Sequence, residues 1–270
     1  MDIRKIITGL TLSLLLVSGV AVAADYDKGM KALDSGDYKA ALVEFIPLAE
    51  QGDAYAQGNL GYMYEFGYGV LENYKTAVKW YTLAAEQGDA YSQYNLALKY
   101  EKGKGVLENY KTAVKWYTLA AEQGYANAQY NLALKYDGGE GVLENDKTAV
   151  KWYTLAAEQG IVDAQYNLAL RYEKGDGVLE NDKTSVKWYT LAAEQGDAEA
   201  QYNLGFNYYK GEGVLTDNRR AYMWWNLASY NGKETAGDNK DKLAKEMTPA
   251  DISAAQDMSS RCLKSNYTDC

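Results

Sequence analysis

Apolar residues along the chain follow a helical spacing that restarts every 36 residues. Within residues 89–124, Leu96 and Tyr100 lie four positions apart and mark one face of a helix. Tyr94 and Leu98, also four apart, mark a second face of the same segment. This spacing predicts an α-helix that is apolar on more than one side, as expected of a helix packed between neighbours.

Glycines and a capping residue divide each period into two helices. Gly103 and Gly105 end the first helix, since glycine adopts the left-handed backbone that closes a helix. Asn109 is a good N-cap for a second helix, which contains Trp116 and stops at Gly124. One such hairpin cannot bury its apolar faces alone, so the pattern predicts a stack of hairpins.

The 36-residue unit occurs five times. Its tryptophan recurs at Trp80, Trp116, Trp152, Trp188 and Trp224. The unit boundaries are 53–88, 89–124, 125–160, 161–196 and 197–232. Residues 24–52 form a degenerate first hairpin that suits an N-terminal cap, and residues 233–270 suit C-terminal capping helices, because the end units of an array face water.

Two motifs carry a resemblance to a known family. AQYNLGFNYYKGEGV occupies residues 200–214, and KTAVKWYTLAAEQG occupies residues 75–88 with close copies in the next three units. These residues resemble the Sel-1-like repeat family, relatives of tetratricopeptide repeats. The resemblance implies an all-α fold, a right-handed α-solenoid of stacked antiparallel helix pairs. It also implies an interaction scaffold or adaptor whose first helices line a concave groove.

The N-terminal segment 1–23 reads as a secretory signal peptide. Arg4 and Lys5 precede an apolar stretch that ends in the A-x-A cleavage pattern Ala21-Val22-Ala23. An uncleaved membrane anchor is the alternative. Cleavage predicts a mature chain that starts at Ala24, is periplasmic or secreted as in Gram-negative export, and has no integral membrane association.

The composition of the chain limits the partners, catalytic groups and metal sites that we expect. The net charge is 28 − 37 = −9, and it becomes −10 without the signal segment, so nucleic acid is not an expected partner. The chain contains no histidine, which removes histidine acid–base catalysis and histidine metal sites. We therefore expect no catalytic residues, no metal and no cofactor. The alternative is an envelope enzyme or an enzyme inhibitor that acts on cell-wall material, with carboxylates as the catalytic groups.

The two cysteines, Cys262 and Cys270, both lie in the predicted C-terminal cap. Because exported proteins meet oxidising conditions, we expect a disulfide between them. Free thiols and an intermolecular bridge remain open.

The predicted partner-binding surface is a stripe on the first helix of each unit. Its aromatic members are Tyr94, Tyr130, Tyr166 and Tyr202. Four residues further on lie Leu98, Leu134, Leu170 and Phe206. Carboxylates edge the stripe at Glu65, Glu101, Asp137 and Glu173. An aromatic ladder edged by acids suits a protein or peptide with apolar anchors and some basic residues. Packing between repeats is the alternative role for the tyrosines.

A second line of residues follows the same period. The family favours Met before the tyrosine that ends the first helix, and only Met63 follows this preference. Lys99, Lys135, Arg171 and Asn207 stand at that position in the later units. We expect the three basic residues to form a solvated face rather than a track for phosphate or glycan.

Overall fold

The computed structural model describes residues 24–270, which form fourteen α-helices and no strands. The signal segment 1–23 lies outside the described residues. The capping pair is α1 (Tyr26–Asp34) and α2 (Tyr38–Glu50). The repeat helices are α3 (Ala54–Phe66), α4 (Tyr74–Glu86), α5 (Ala90–Lys102), α6 (Tyr110–Glu122), α7 (Ala126–Gly138), α8 (Asp146–Glu158), α9 (Val162–Lys174), α10 (Asp182–Ala193), α11 (Ala198–Lys210) and α12 (Asn218–Tyr230). The final helices are α13 (Glu234–Ala244) and α14 (Pro249–Lys264).

The helices of the second repeat begin and end at capping residues. The Asp89 side chain accepts a hydrogen bond from the backbone N–H of Ser92 at 2.7 Å, which caps α5. Asn109 caps α6 by accepting from the Thr112 N–H at 2.9 Å. Gly103 ends α5 with a left-handed φ of 63°.

The second glycine of each Gly-x-Gly pair also sets the distance between repeats. Gly105 has a φ of 80°, and a Cβ atom on it would lie 2.4 Å from the carbonyl oxygen of Tyr74 in the preceding repeat. Only glycine permits both this backbone conformation and this close approach. The pair is thus a turn and a packing contact.

The core runs through the stack. From α1 to α13 each helix packs against its neighbours in the chain, whereas α14 packs on α12. In the second repeat, Leu96, Ala97 and Tyr117 are fully buried. One apolar cluster extends from Ala97 on α5 to Cys262 on α14. The all-α repeat solenoid predicted from the sequence is confirmed.

A ladder of side-chain amides ties successive repeats together. Gln123 donates to the Oε1 atom of Gln93 at 2.8 Å, and Gln93 donates to the Ala85 carbonyl at 3.1 Å. The same pair of bonds recurs along the array, and Asn231 takes the glutamine position in the fifth repeat. Each bond joins a buried amide of a first helix, such as Gln93, to a more exposed amide at the end of a second helix, and the bonds help to fix the register of the stack.

The C-terminal cap closes the array. Thr248 caps α14, with Pro249 in its first turn. A disulfide joins Cys262 and Cys270, whose Cα atoms are 4.6 Å apart. Among residues 24–270, no helix is both long enough and apolar enough to cross a bilayer.

Candidate interaction surface

The predicted tyrosine stripe lies half-buried along the first helices. The ring centroid of Tyr94 is 5.9 Å from that of Tyr117, a fully buried residue on the second helix of the same repeat. Tyr130 and Tyr166 make the same contact with Tyr153 and Tyr189, at 6.1 and 5.9 Å. These three stripe rings therefore each contact a buried ring at a tilted angle and keep part of their surface in solvent.

The aliphatic members of the stripe have the same half-buried character. Leu98, Leu134 and Leu170 pack against the main apolar cluster without being enclosed by it. In the fifth repeat, Phe206 packs edge-on against Tyr202 at 5.0 Å and Trp225 at 5.1 Å. The structure thus brings the predicted aromatic and aliphatic residues together into one partly open surface.

The carboxylates beside the stripe are bonded internally, which the sequence analysis did not foresee. Glu65 accepts a hydrogen bond from the hydroxyl of Tyr81 at 3.0 Å and forms an ion pair with Lys99 of the next repeat. The pattern repeats one unit later around Glu101, which accepts from Tyr117 and pairs with Lys135. These two acids are therefore neutralised within the array.

The expectation that Lys99, Lys135 and Arg171 form a solvated face is wrong. Lys99 and Lys135 are only 4% and 5% exposed. They lie in the seam between consecutive repeats, where packing removes water and a carboxylate of the preceding repeat supplies the compensating charge. The 36-residue period shows which residues of different repeats are equivalent. It does not show that a lysine contacts the carboxylate 34 residues before it, as Lys99 contacts Glu65.

Arg171 extends this pattern with three acidic neighbours. Its guanidinium pairs with Asp137 and lies 3.6 Å from both Asp146 and Asp176. Asp137 also accepts a hydrogen bond from Tyr153 at 3.1 Å. The third seam, between the third and fourth repeats, is thus a cluster of one guanidinium and three carboxylates.

The fourth seam, between the fourth and fifth repeats, has no cation at the position equivalent to Arg171. Glu173 accepts from Tyr189 at 2.6 Å, as its equivalents do, but no basic side chain of residues 24–270 lies within ion-pair distance of it. Asn207 takes the place of the lysine or arginine. A cavity of about 210 Å³ opens here. Its lining is Glu173, Asn203, Phe206, Asn207, Lys210 and Glu212.

Burial and hydrogen bonding shift the pKa of groups in these seams. Burial raises the pKa of Tyr117 far above its ordinary value, and the hydrogen bond to Glu101 adds to the effect. Burial acts to lower the pKa of Lys135, but its hydrogen bonds to Glu101 and Glu140 outweigh burial and raise that pKa. Both groups therefore stay protonated well above neutral pH.

The structure also reveals a row of exposed leucines that the sequence analysis did not single out. Each repeat places one leucine in the loop between its two helices, about 90% exposed to solvent. The row consists of Leu71, Leu107, Leu143, Leu179 and Leu215. A Val-Leu-Glu-Asn run just before the second helix marks the first four positions in the sequence, and Val-Leu-Thr-Asp at residues 214–217 marks the fifth. Such exposure means that these side chains contribute little to folding.

Among the described residues, no group of three or more carboxylates and cysteines could hold a metal ion. The eight stripe residues supply phenols and apolar groups, and the four residues at their acidic edge supply carboxylates. The site's chemistry is that of recognition by apolar contact and charge pairing.

The comparisons with known proteins agree with this architecture. The family profile described as Sel1 repeat matches residues 54–89, 90–125, 126–161, 162–197 and 198–233, each one residue later than the boundaries set by the sequence period. None of the curated proteins matches the chain.

Solved structures similar to this chain include other Sel1 repeat proteins. A Sel1 repeat protein from Oxalobacter formigenes is 35% identical, with 88% of this chain matching 99% of that one at a TM-score of 0.77. The protective antigen c5321 of uropathogenic Escherichia coli, which displays an SLR fold, is 28% identical over 88% of this chain and 68% of its own, at a TM-score of 0.38. A sel1 repeat protein from Klebsiella pneumoniae is 24% identical over 74% of this chain and 97% of its own, at a TM-score of 0.45. Five consecutive repeat matches over more than half of the sequence show that this chain belongs to the Sel1 repeat family.

Proposed function

We propose that this protein is a non-catalytic scaffold that binds a protein or peptide along the stripe of its first helices. Sel1 repeat proteins generally mediate protein–protein interactions. The observation that supports the stripe as the binding surface is its half-open state in successive repeats. The fold closes Leu96 and Leu132 completely but leaves the neighbouring Tyr94 and Tyr130 partly in solvent.

The chemistry of the stripe favours a partner with regularly spaced apolar anchors. Tyrosine supplies a wide ring and a hydroxyl with few rotamers to restrict, which suits a recognition surface. The rings of Tyr130 and Tyr166 occupy equivalent positions one repeat apart. An extended or helical segment lying across the repeats would meet one tyrosine and one leucine in each.

Charge sets the second feature of the partner. Glu65, Glu101 and Asp137 are already paired with lysine or arginine, so the stripe offers less free negative charge than its sequence indicates. The chain as a whole still carries a net charge of −9. This excess favours encounter with a basic or neutral partner over an acidic one.

The test compares two surfaces of one array in the same two repeats. The double variant Tyr130→Ala/Tyr166→Ala truncates the stripe, and the control Leu143→Ser/Leu179→Ser alters two leucines that are 89% and 90% exposed. Each purified protein is used to capture partners from envelope extract, with crosslinking and mass spectrometry to identify them. We expect the stripe variant to lose the partner and the leucine variant to keep it. The reverse result would move the binding surface to the leucine row.

The absence of catalysis is part of the proposal. We expect purified peptidoglycan to be unchanged after incubation with the protein, as measured by chromatography of its fragments. Release of new fragments by the wild-type protein would instead support the cell-wall enzyme.

Export is also proposed, on the basis of the sequence of residues 1–23. We propose that cleavage after Ala23 yields a periplasmic or secreted protein that starts at Ala24. N-terminal sequencing of the protein from cell fractions tests this. Recovery of a chain that begins at Met1 in the membrane fraction would overturn it.

A further inference from the structure

We propose that the cavity at the fourth seam binds a cationic side chain, arginine or lysine, of the partner protein. The cavity lies between α9 and α11, at Glu173 and Asn207. This inference deepens the scaffold function proposed above and rests on it. It concerns a site that the stripe residues alone do not define.

The third and fourth seams differ in their charged residues. Arg171 at the third seam is surrounded by Asp137, Asp146 and Asp176. Addition of 36 to each number gives the equivalent residues of the fourth seam. The three acids become Glu173, Asp182 and Glu212, whereas the arginine becomes Asn207. The fourth seam therefore keeps all three carboxylates and loses the guanidinium.

The single cation that lines the cavity does not replace the missing one. Lys210 lies 3.6 Å from Glu212 and holds its ammonium 5.8 Å from the centre of the Phe206 ring. Its counterpart Lys174 is present in the fourth repeat in addition to Arg171. The fourth seam is thus one positive charge short of the third.

The second, independent observation is the state of Asn207. This residue is only 4% exposed, and its Oδ1 atom makes no hydrogen bond with any described residue. Its amide nitrogen donates to the carbonyl oxygen of Glu212 at 3.3 Å, so the orientation of the side chain is set. A buried acceptor without a donor is costly, and a cation with N–H groups in the cavity would supply the donor.

The carboxylate is held ready for such a ligand. The Tyr189 hydroxyl donates to Glu173, and Asn203 donates to the Tyr189 hydroxyl at 3.1 Å. Both contacts are neutral, so they position the Glu173 carboxylate without cancelling its charge. A guanidinium could then donate to Glu173 and to Asn207 at once, since it carries five N–H donors in a fixed plane.

At the start of the array, the equivalent position of the first repeat is uncharged. Met63 stands at the equivalent position of the first repeat and lies in an apolar cluster, with Leu33 packed against it. There both the cation and the carboxylate are absent. At the fourth seam only the cation is absent, and the acid that requires it remains.

The probe for this site is N-acetyl-arginine amide, whose side chain carries its only charge. N-acetyl-citrulline amide is the neutral isostere and serves as the matched ligand control. Binding is followed by ¹H–¹⁵N NMR at fixed ionic strength, through the side-chain amide signal of Asn207, which is identified by its loss in the variant Asn207→Arg. We expect the arginine derivative to shift this signal in the wild-type protein and the citrulline derivative to leave it in place.

Three variants assign the binding to the cavity. Glu173→Gln keeps an acceptor for Tyr189 but removes the charge, and we expect at least tenfold weaker binding of the arginine derivative. Asn207→Arg rebuilds the third-seam arrangement and should fold normally while it blocks the cavity, so backbone signals near α9 should no longer respond. Glu144→Gln removes an exposed carboxylate one repeat away and should bind as the wild type does.

The proposal is overturned if the wild-type protein gives no shift, if the citrulline derivative shifts the same signals, or if Glu173→Gln binds equally well. Failure of this site can be told apart from failure of the scaffold function. If Asn207→Arg still captures the partner in full while the stripe variant does not, the scaffold stands and the cation site is wrong.

Discussion

Lys99 forms an ion pair with Glu65, a residue 34 positions earlier that belongs to the preceding repeat. Their side chains are 4% and 13% exposed, so the pair lies within the seam rather than on the surface. The Tyr81 hydroxyl also donates to this carboxylate. Each seam of this kind joins two repeats through one charge from each, which couples neighbouring units in the stack.

Replacement of Lys99 tests the energetic weight of this pair. The change Lys99→Met leaves the Glu65 carboxylate in the seam without its cation, and we expect a loss of about 3 kcal/mol in the free energy of unfolding. The double change Glu65→Gln/Lys99→Met should recover at least half of that loss, because no charge is then left unpaired. Urea denaturation followed by circular dichroism measures both.

The control for this prediction is Lys102→Met, on the exposed side of the same helix. It should change the stability by no more than about 0.5 kcal/mol. Equal losses for Lys99→Met and Lys102→Met would show that the seam pair contributes nothing specific.

The half-buried stripe predicts an intermediate cost of truncation. Tyr153 is fully buried, so Tyr153→Ala should destabilise the protein by about 3–5 kcal/mol. Tyr130 contacts Tyr153 but is only partly buried, so we expect Tyr130→Ala to cost less, about 2 kcal/mol. Thermal and urea unfolding of the two variants measures both losses of stability. If Tyr130→Ala is as damaging as Tyr153→Ala, the ring belongs to the core and is a poor candidate for partner contact.

Alkaline pH should unfold the array in step with ionisation of its buried tyrosines. Burial raises the pKa of Tyr81, Tyr117, Tyr153 and Tyr189 far above the value of about 10 that tyrosine has in an unfolded chain. Because the folded-state pKa is raised, their contribution to stability is complete below about pH 10 and is lost as the pH rises further. Lys135, whose pKa is also raised, adds a loss in the same direction.

The measurement is a pH titration that records tyrosinate absorbance and helical circular dichroism together. We expect the last tyrosines to ionise only as the helical signal disappears. Complete tyrosine ionisation with the helical signal intact would contradict the buried hydrogen-bonded arrangement.

The array predicts that a whole period is a removable unit. Deletion of residues 89–124 removes α5 and α6 together and joins equivalent seams, so we expect a folded, helical and less stable protein. Truncation after residue 110 leaves α5 without its partner α6 and should abolish cooperative unfolding. Circular dichroism and denaturant titration compare the deletion variant with the truncated one. If both chains are equally unfolded, the 36-residue period is not a removable unit.

The period, the helix pairs and the caps could be predicted from the sequence because they follow from local signals. Asn109 and Gly103 occupy the cap positions that their chemistry favours, and the spacing of Leu96 and Tyr100 reports a helix directly. The prediction did not extend to the seams. Whether Lys99 points to solvent or to Glu65 depends on how far one repeat is rotated against the next, and a periodic sequence contains no local signal for that rotation.

The same limit applies to the candidate site. The recurrence of Tyr94 and Leu98 identified the stripe but could not give its exposure. The special character of the fourth seam was visible in the sequence only as an asparagine, Asn207, where two lysines and an arginine stand in the preceding units. Its meaning depends on the carboxylate of Glu173, which the fold brings against it.

Site-specific photocrosslinking tests the central claim, partner binding along the stripe, most directly. A photoreactive phenylalanine derivative is placed at Tyr166 in the stripe or, as the control, at Leu179 in the exposed row of the same repeat. Illumination is carried out in cells, and adducts are identified by mass spectrometry. The account predicts a discrete protein adduct from the Tyr166 position and none from the Leu179 position. An adduct from Leu179 alone, or from neither position, would contradict it.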